Sequence, residues 1–127
     1  MGRALKFRAW YPKEARWFPP NSVSLALDGS AIRTLDNWAW KPDAVVLEQF
    51  TGLLDSKGVE IFEGDYIRCK PDESPMLVGW NDEMASFALR KKGWMFDHFF
   101  KEAVDPQDVE VCGNVHQTPS LLEENRK

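Results

Sequence analysis

The stretch QFTGLLDSKGVEIFEGDYIRCK, residues 49–70, places three glycines among carboxylates and hydroxyl residues. Two structures call for such a pattern: a loop that holds a ligand, or the corners of a tightly folded β-structure. Asp55-Ser56-Lys57-Gly58 has the composition of a tight turn, with glycine at the left-handed position that residues carrying a Cβ avoid. That turn joins FTGLL to VEIFEG as a hairpin or tight corner. Glu63-Gly64-Asp65 is a second corner, where the Asp65 carboxylate is placed to accept nearby backbone N–H groups. YIRCK (66–70) continues as a strand until Pro71. Folding alone accounts for these glycines and carboxylates.

The flanking sequence keeps the same rhythm. LKFRAWY (5–11) alternates Leu5, Phe7, Ala9 and Tyr11 against Lys6, Arg8 and Trp10, a strand pattern. PKEARWFPPNS (12–22) reads as an irregular loop because of its prolines. Val23, Leu25 and Leu27 recur at period two before Asp28-Gly29, which marks a hairpin turn. Residues 36–43 form a connection carrying Trp38 and Trp40, and AVVLEQF (44–50) returns to strand. MLVGWND (76–82) and SFALRKK (86–92) are two strands around Asn81-Asp82-Glu83. After Gly93 the period changes. Met95, Phe96, Phe99, Phe100, Ala103 and Val104 recur on one helical face, predicting a short, core-facing helix over about 94–104 that Asp105-Pro106 ends. DVEVCGNVHQ (108–117) reads as the last strand, and Thr118-Pro119 opens a short C-terminal helix.

Short strands punctuated by glycine predict an α+β, β-rich chain organised as a small SH3-like β-barrel with one or two short helices. Residues 1–44 form an N-terminal strand and hairpin extension packing on the barrel. Residues 45–127 form the barrel and its short C-terminal helix, one compact unit. The expected barrel core is Ile61, Tyr66, Ile67, Val78, Phe87, Leu89, Val109, Val111 and Val115.

The blocks LKFRAW, QFTGLLDSKGVEIFEGDYIR and VCGNVHQTPSLLEE together resemble the YopX family of bacteriophage and prophage proteins. The ordered series FTGL, D-x-x-G, E-I and EGD carries most of that resemblance. Tyr11-Pro12 stands where the family often has an acidic residue, and His116, Gln117 and Thr118 depart from its usual closing block. The resemblance implies an SH3-like β domain, a phage or prophage origin and assembly into homo-oligomers. It implies no activity, cofactor or catalytic residue.

Chemistry-bearing residues offer several sites to weigh. Cys69, Cys112, His98 and His116 are the potential metal ligands. Cys112 and His116 stand four apart on a strand, ~13 Å from each other, whereas zinc ligands must each lie within ~2.3 Å of one ion. No metal or cofactor site is expected, and the two cysteines suit reduced thiols packed as small apolar groups in an intracellular protein. Glu60, Glu63, Asp65, Asp82 and Asp97 supply carboxylates, but no nucleophile elbow or phosphate loop accompanies them, so no enzyme is expected. Trp80, Phe87 and Trp94 lie near Arg90, Lys91 and Lys92, the pairing of rings and cations that single-stranded nucleic acid requires. Against that stand a net charge of −4 and a pI of about 5.2, since phosphate binders carry a basic face. Trp10, Trp17, Phe18, Trp38 and Trp40 cluster in the N-terminal part, several in proline-rich connections. Rings in such loops serve either to seal the fold or to anchor a partner.

No apolar run reaches transmembrane length, and the charged N-terminus lacks signal-peptide character. The expectation is a non-enzymatic phage or prophage accessory protein of the bacterial cytoplasm, without membrane contact. It acts through homo-oligomer assembly or a host or phage protein partner. The alternative is a single-stranded nucleic-acid binder using Trp80, Arg90, Lys91 and Lys92.

Overall fold

The computed structural model describes residues 5–19, 22–26, 32–34, 39–40 and 44–118. They are β-rich with one short helix, in two compact units, Lys6–Gln49 and Phe50–Lys127, with Met1–Leu5 counted to the latter. The expected C-terminal helix beyond Thr118 and the Asp28-Gly29 turn lie outside the described residues.

In the N-terminal unit, β1 (Phe7–Tyr11) pairs antiparallel with β2 (Arg16–Trp17), and Trp10 faces Trp17. The segment read as irregular thus contains a tight turn. Ala15 N–H donates to the Pro12 carbonyl at 3.2 Å, with Ala15 at φ 51. β3 (Val23–Leu25), β4 (Ile32–Thr34) and β5 (Ala39–Trp40) form an antiparallel meander, so the expected hairpin is present in its strands. The first part of β6 (Val46–Leu54) pairs with β1, from Phe7↔Gln49 to Trp10↔Val46.

Ala9, Tyr11, Phe18, Ile32 and Val45 form the core of this unit. Leu5 and Phe7, on the same face of the first strand pattern, are exposed, because the core gathers only around the far end of β1. The other face buries Trp10 against Trp17, edge to face at 4.9 Å. The Arg8 guanidinium lies 4.5 Å from the Trp17 ring centre, and its Nε donates to Glu48 Oε1 at 2.9 Å. Glu48 is buried, so its charge requires that partner.

In the second unit, the remainder of β6 pairs with β7 (Glu60–Phe62) through Phe50↔Phe62 and Leu54↔Glu60, with a register shift between them. β8 (Asp65–Arg68), β9 (Met76–Asn81), β10 (Ser86–Lys91), β11 (His98–Phe99) and β12 (Glu110–Asn114) form an antiparallel sheet in the order β11-β10-β9-β8-β12. Ile61, Ile67, Met76, Val78, Leu89, Phe100 and Val109 pack as one cluster. Tyr66 is also buried, while Phe87, Val111 and Val115 of the expected core are only half-buried.

Gly58 closes the β6–β7 turn at φ +79, where its N–H donates to the Asp55 carbonyl at 3.0 Å. Gly64, at φ +90, donates to the Val78 carbonyl at 2.7 Å and accepts from Val115 N–H at 3.0 Å. The second corner therefore stitches two other segments together.

The helix expected over 94–104 is a correction. Only Phe100–Ala103, α1, is helical. Residues 98–99 instead pair with β10, Leu89↔His98 and Ala88↔Phe99. An isolated helix this short is unstable in water, whereas the sheet edge offers ready backbone partners. Of the aromatic residues assigned to that face, Phe100 is buried, while Phe96 and Phe99 are exposed, as is Met95.

Two stability outcomes follow. A Cβ at Gly58 or at Gly79 meets nothing within 4 Å, but only Gly58 has positive φ. Gly58→Ala is expected to cost about 1 kcal/mol and Gly79→Ala to stay within about 0.5 kcal/mol of zero, in urea unfolding. Glu48→Ala should cost about 2 kcal/mol by leaving the half-buried Arg8 cation without its carboxylate. Glu14→Ala, which breaks the exposed pair with Arg16, should change the unfolding midpoint little.

Candidate partner-binding surface

Asp55 and Asp65 of the glycine-rich stretch each cap a different corner. Asp55 Oδ1 accepts from the Lys57 N–H at 2.8 Å and the Val59 N–H at 2.9 Å. Its Oδ2 accepts from Val111 N–H at 2.9 Å. Asp65 Oδ2 accepts from Phe62 N–H at 2.8 Å. Both carboxylates are buried, and both accept from backbone N–H groups. Burial alone would raise the Asp55 pKa, but the N–H groups of Val111, Val59 and Lys57, with the Lys57 charge, outweigh it and hold the carboxyl below its ordinary 3.8.

A different arrangement occurs at the β9–β10 hairpin. Asn81 Oδ1 accepts from Met84 N–H at 2.9 Å and shapes the turn, while its Nδ2 donates to Asp97 Oδ2 at 2.9 Å. Arg90 Nε donates to Asp97 Oδ1 at 3.0 Å. The Arg90 hydrogen bond and the Asn81 amide hold the Asp97 carboxyl below its usual range, against the opposing effect of burial. Asp97 is thereby clamped from two strands. The residues before it divide: Trp94 packs against the second core, whereas Met95 and Phe96 are 88% and 75% exposed. Trp80, 50% exposed, stands edge to face on Phe87 at 5.3 Å. Trp80, Asp82, Glu83, Arg90, Met95 and Phe96 line an open groove of about 410 Å³.

The residues singled out in the sequence are distributed as follows. Trp10 and Phe18 are buried in the N-terminal unit, and Trp17 is half-buried against Trp10. Arg16 lies over both the Tyr11 and Phe18 rings. Trp38 lies outside the described residues; Trp40 belongs to β5, and its side chain is likewise outside them. Trp80 and Arg90 reach one groove, but Lys91 and Lys92 are not among its lining residues. Trp94 packs instead on His98, with ring centres 4.4 Å apart, and on the second core. The helical spacing of the sequence predicts Met95 and Phe96 on a core-facing side, and the structure leaves both exposed. The signal against that assignment was Asp97, a poor helix former that competes for local hydrogen bonds.

Other chemistry is sparse. Among the described residues no group of three or more His, Cys, Asp and Glu side chains is placed to hold a metal ion. Cys69 is exposed, and Cys112 Sγ donates to the Tyr66 carbonyl at 3.4 Å. A second groove of about 490 Å³ lies beside Leu53, Leu54, Lys101 and Asp105, and its lining includes no hydroxyl or thiol nucleophile. No helix among the described residues is long and apolar enough to cross a membrane.

Comparison with known proteins places the chain in a family and beside a solved structure. A family model described as YopX protein matches residues 6–123. No curated protein matches the chain. The crystal structure of protein EF1440 from Enterococcus faecalis is similar, with 26% identity, a TM-score of 0.66, and coverage of 95% of this chain and 99% of that one.

The Asp55 carboxylate yields a pH-dependence. Its folded-state pKa is depressed below 3.8, so its contribution is fully present above the unfolded value and is lost as pH falls through the folded one. Asp55→Asn should therefore lower stability at pH 7 by about 2 kcal/mol. The gap from wild type should narrow below about pH 4, as read by urea unfolding at a series of pH values.

Proposed function

The chain belongs to the YopX family, and we propose that it is a non-enzymatic accessory protein encoded by a phage or prophage. It works in the bacterial cytoplasm by associating with another protein or with copies of itself. The β8–β12 sheet is read as an SH3-like barrel, a scaffold that presents its hairpin ends to partners. The observation that carries this reading is the display of Trp80, Met95 and Phe96 around one groove. Contiguous exposed apolar surface of this kind marks interaction sites, and aromatic residues and Met are favoured in interfaces. The inward packing of Trp10 and Phe18 favours this surface over the N-terminal rings as the place of contact.

Single-stranded nucleic acid is the weaker reading of the same groove. Trp80 offers a stacking face, but Asp82, Glu83 and Asp97 outnumber Arg90 among the lining residues, and Arg90 is already paired with Asp97 at 3.0 Å. Phosphates would meet carboxylates there.

The test combines light scattering over a dilution series with affinity capture from bacteria carrying the phage or prophage. Wild-type protein is expected to self-associate or retain a partner. Trp80→Ser/Phe96→Ser should lose that association while still unfolding cooperatively, its stability lowered by about 1 kcal/mol through loss of the Trp80–Phe87 ring contact. Identical behaviour of the two proteins in both assays would sink the reading.

A further inference from the structure

We propose that the β9–β10 groove takes an extended, basic segment of a partner protein, with cationic and apolar side chains interspersed. This rests on the association reading and names its occupant. The argument begins with charge. Asp97 and Arg90 neutralise each other across 3.0 Å. Asp82 and Glu83 are exposed, and neither forms an ion pair among the described residues. Three carboxylates against one guanidinium leave two uncompensated negative charges on the groove.

The rings argue for a mixed rather than a purely ionic occupant. Trp80 keeps half its surface open beside those carboxylates, a setting in which a guanidinium or ammonium can lie over the ring while bonding to the acid. Met95 and Phe96 form the apolar side of the groove. They suit an aliphatic side chain of the same segment, because the flexible thioether adapts to varied shapes. A volume of about 410 Å³ accommodates a few side chains and not a domain face.

A second copy of this chain fits the charge poorly. Each copy carries a net charge of −4, and a two-fold contact through this groove would bring Asp82 and Glu83 towards their own counterparts.

The test uses the full chain, labelled with ¹⁵N, and follows the Trp80 indole N–H signal, assigned by its disappearance in Trp80→Phe. Two peptides of about a dozen residues are titrated, one alternating Arg and Leu and the other alternating Glu and Leu; that length amply spans the groove in extended form. The Arg/Leu peptide should move the Trp80 signal saturably and more weakly as salt rises, and the Glu/Leu peptide should not move it. Asp82→Asn/Glu83→Gln should weaken the Arg/Leu peptide about fivefold, the effect of losing two exposed ion pairs. Asp72→Asn/Glu73→Gln removes the same charge from another turn and should weaken it less than about twofold.

Equal weakening by the two double variants would reduce the effect to net charge and overturn the proposal. So would movement by both peptides, by a thymidine oligonucleotide, or by dilution of the protein alone. If Trp80-dependent capture from cells persists while the Arg/Leu peptide leaves the signal unmoved, the occupant is wrong and the association reading stands. If both fail, neither stands.

Discussion

The Asp55 carboxylate accepts three backbone N–H groups, two within its own turn and one from Val111, across 2.8–2.9 Å. A buried carboxylate without partners would cost several kcal/mol. With them it fixes the conformation of the β6–β7 corner and ties that corner to β12. Ser56 N–H donates to the Val109 carbonyl at 2.9 Å in the same place, so the tie is doubled. Gly64 makes the matching link at the next corner, to Val78 and Val115. The sheet that presents the groove is anchored at these two corners.

The groove depends on a second carboxylate used in another way. Asp97 is held by Asn81 from the hairpin and by Arg90 from β10. It fixes the segment to the hairpin beside the exposed Met95 and Phe96. One acid ties a corner to β12, and the other ties the segment after Met95 and Phe96 to the β9–β10 hairpin. Trp80, Met95 and Phe96 stay open to solvent around one groove at the end of the hairpin.

Legibility in the sequence followed the range of the interactions. The Asp55–Gly58 turn and the Asp65 cap are closed within a few residues, so residue type and order revealed them. The strands of β9 and β10 were legible from their alternation around Asn81-Asp82-Glu83. The Val111 partner of Asp55 was not, because residues 56 apart in sequence leave no periodic trace. The same holds for Asp97, whose partners Asn81 and Arg90 act across strands and override a helical spacing of apolar residues. Trp17 looked like a ring stranded in a proline-rich loop, but a turn with Ala15 at positive φ returns it opposite Trp10. The shift of register within β6 likewise left no mark beyond a glycine.

The tie between Asp55 and Val111 has a consequence for the order of events during synthesis. A ribosome releases the β6–β7 corner well before β12, so the nascent chain carries an Asp55 carboxylate still lacking one of its three backbone donors. Closing so long a loop is entropically costly and is repaid only when its far end arrives. Translation must pass residue 111 before the corner is complete. Until then the second unit remains a set of hairpins without its clasp, open to chaperones and proteases.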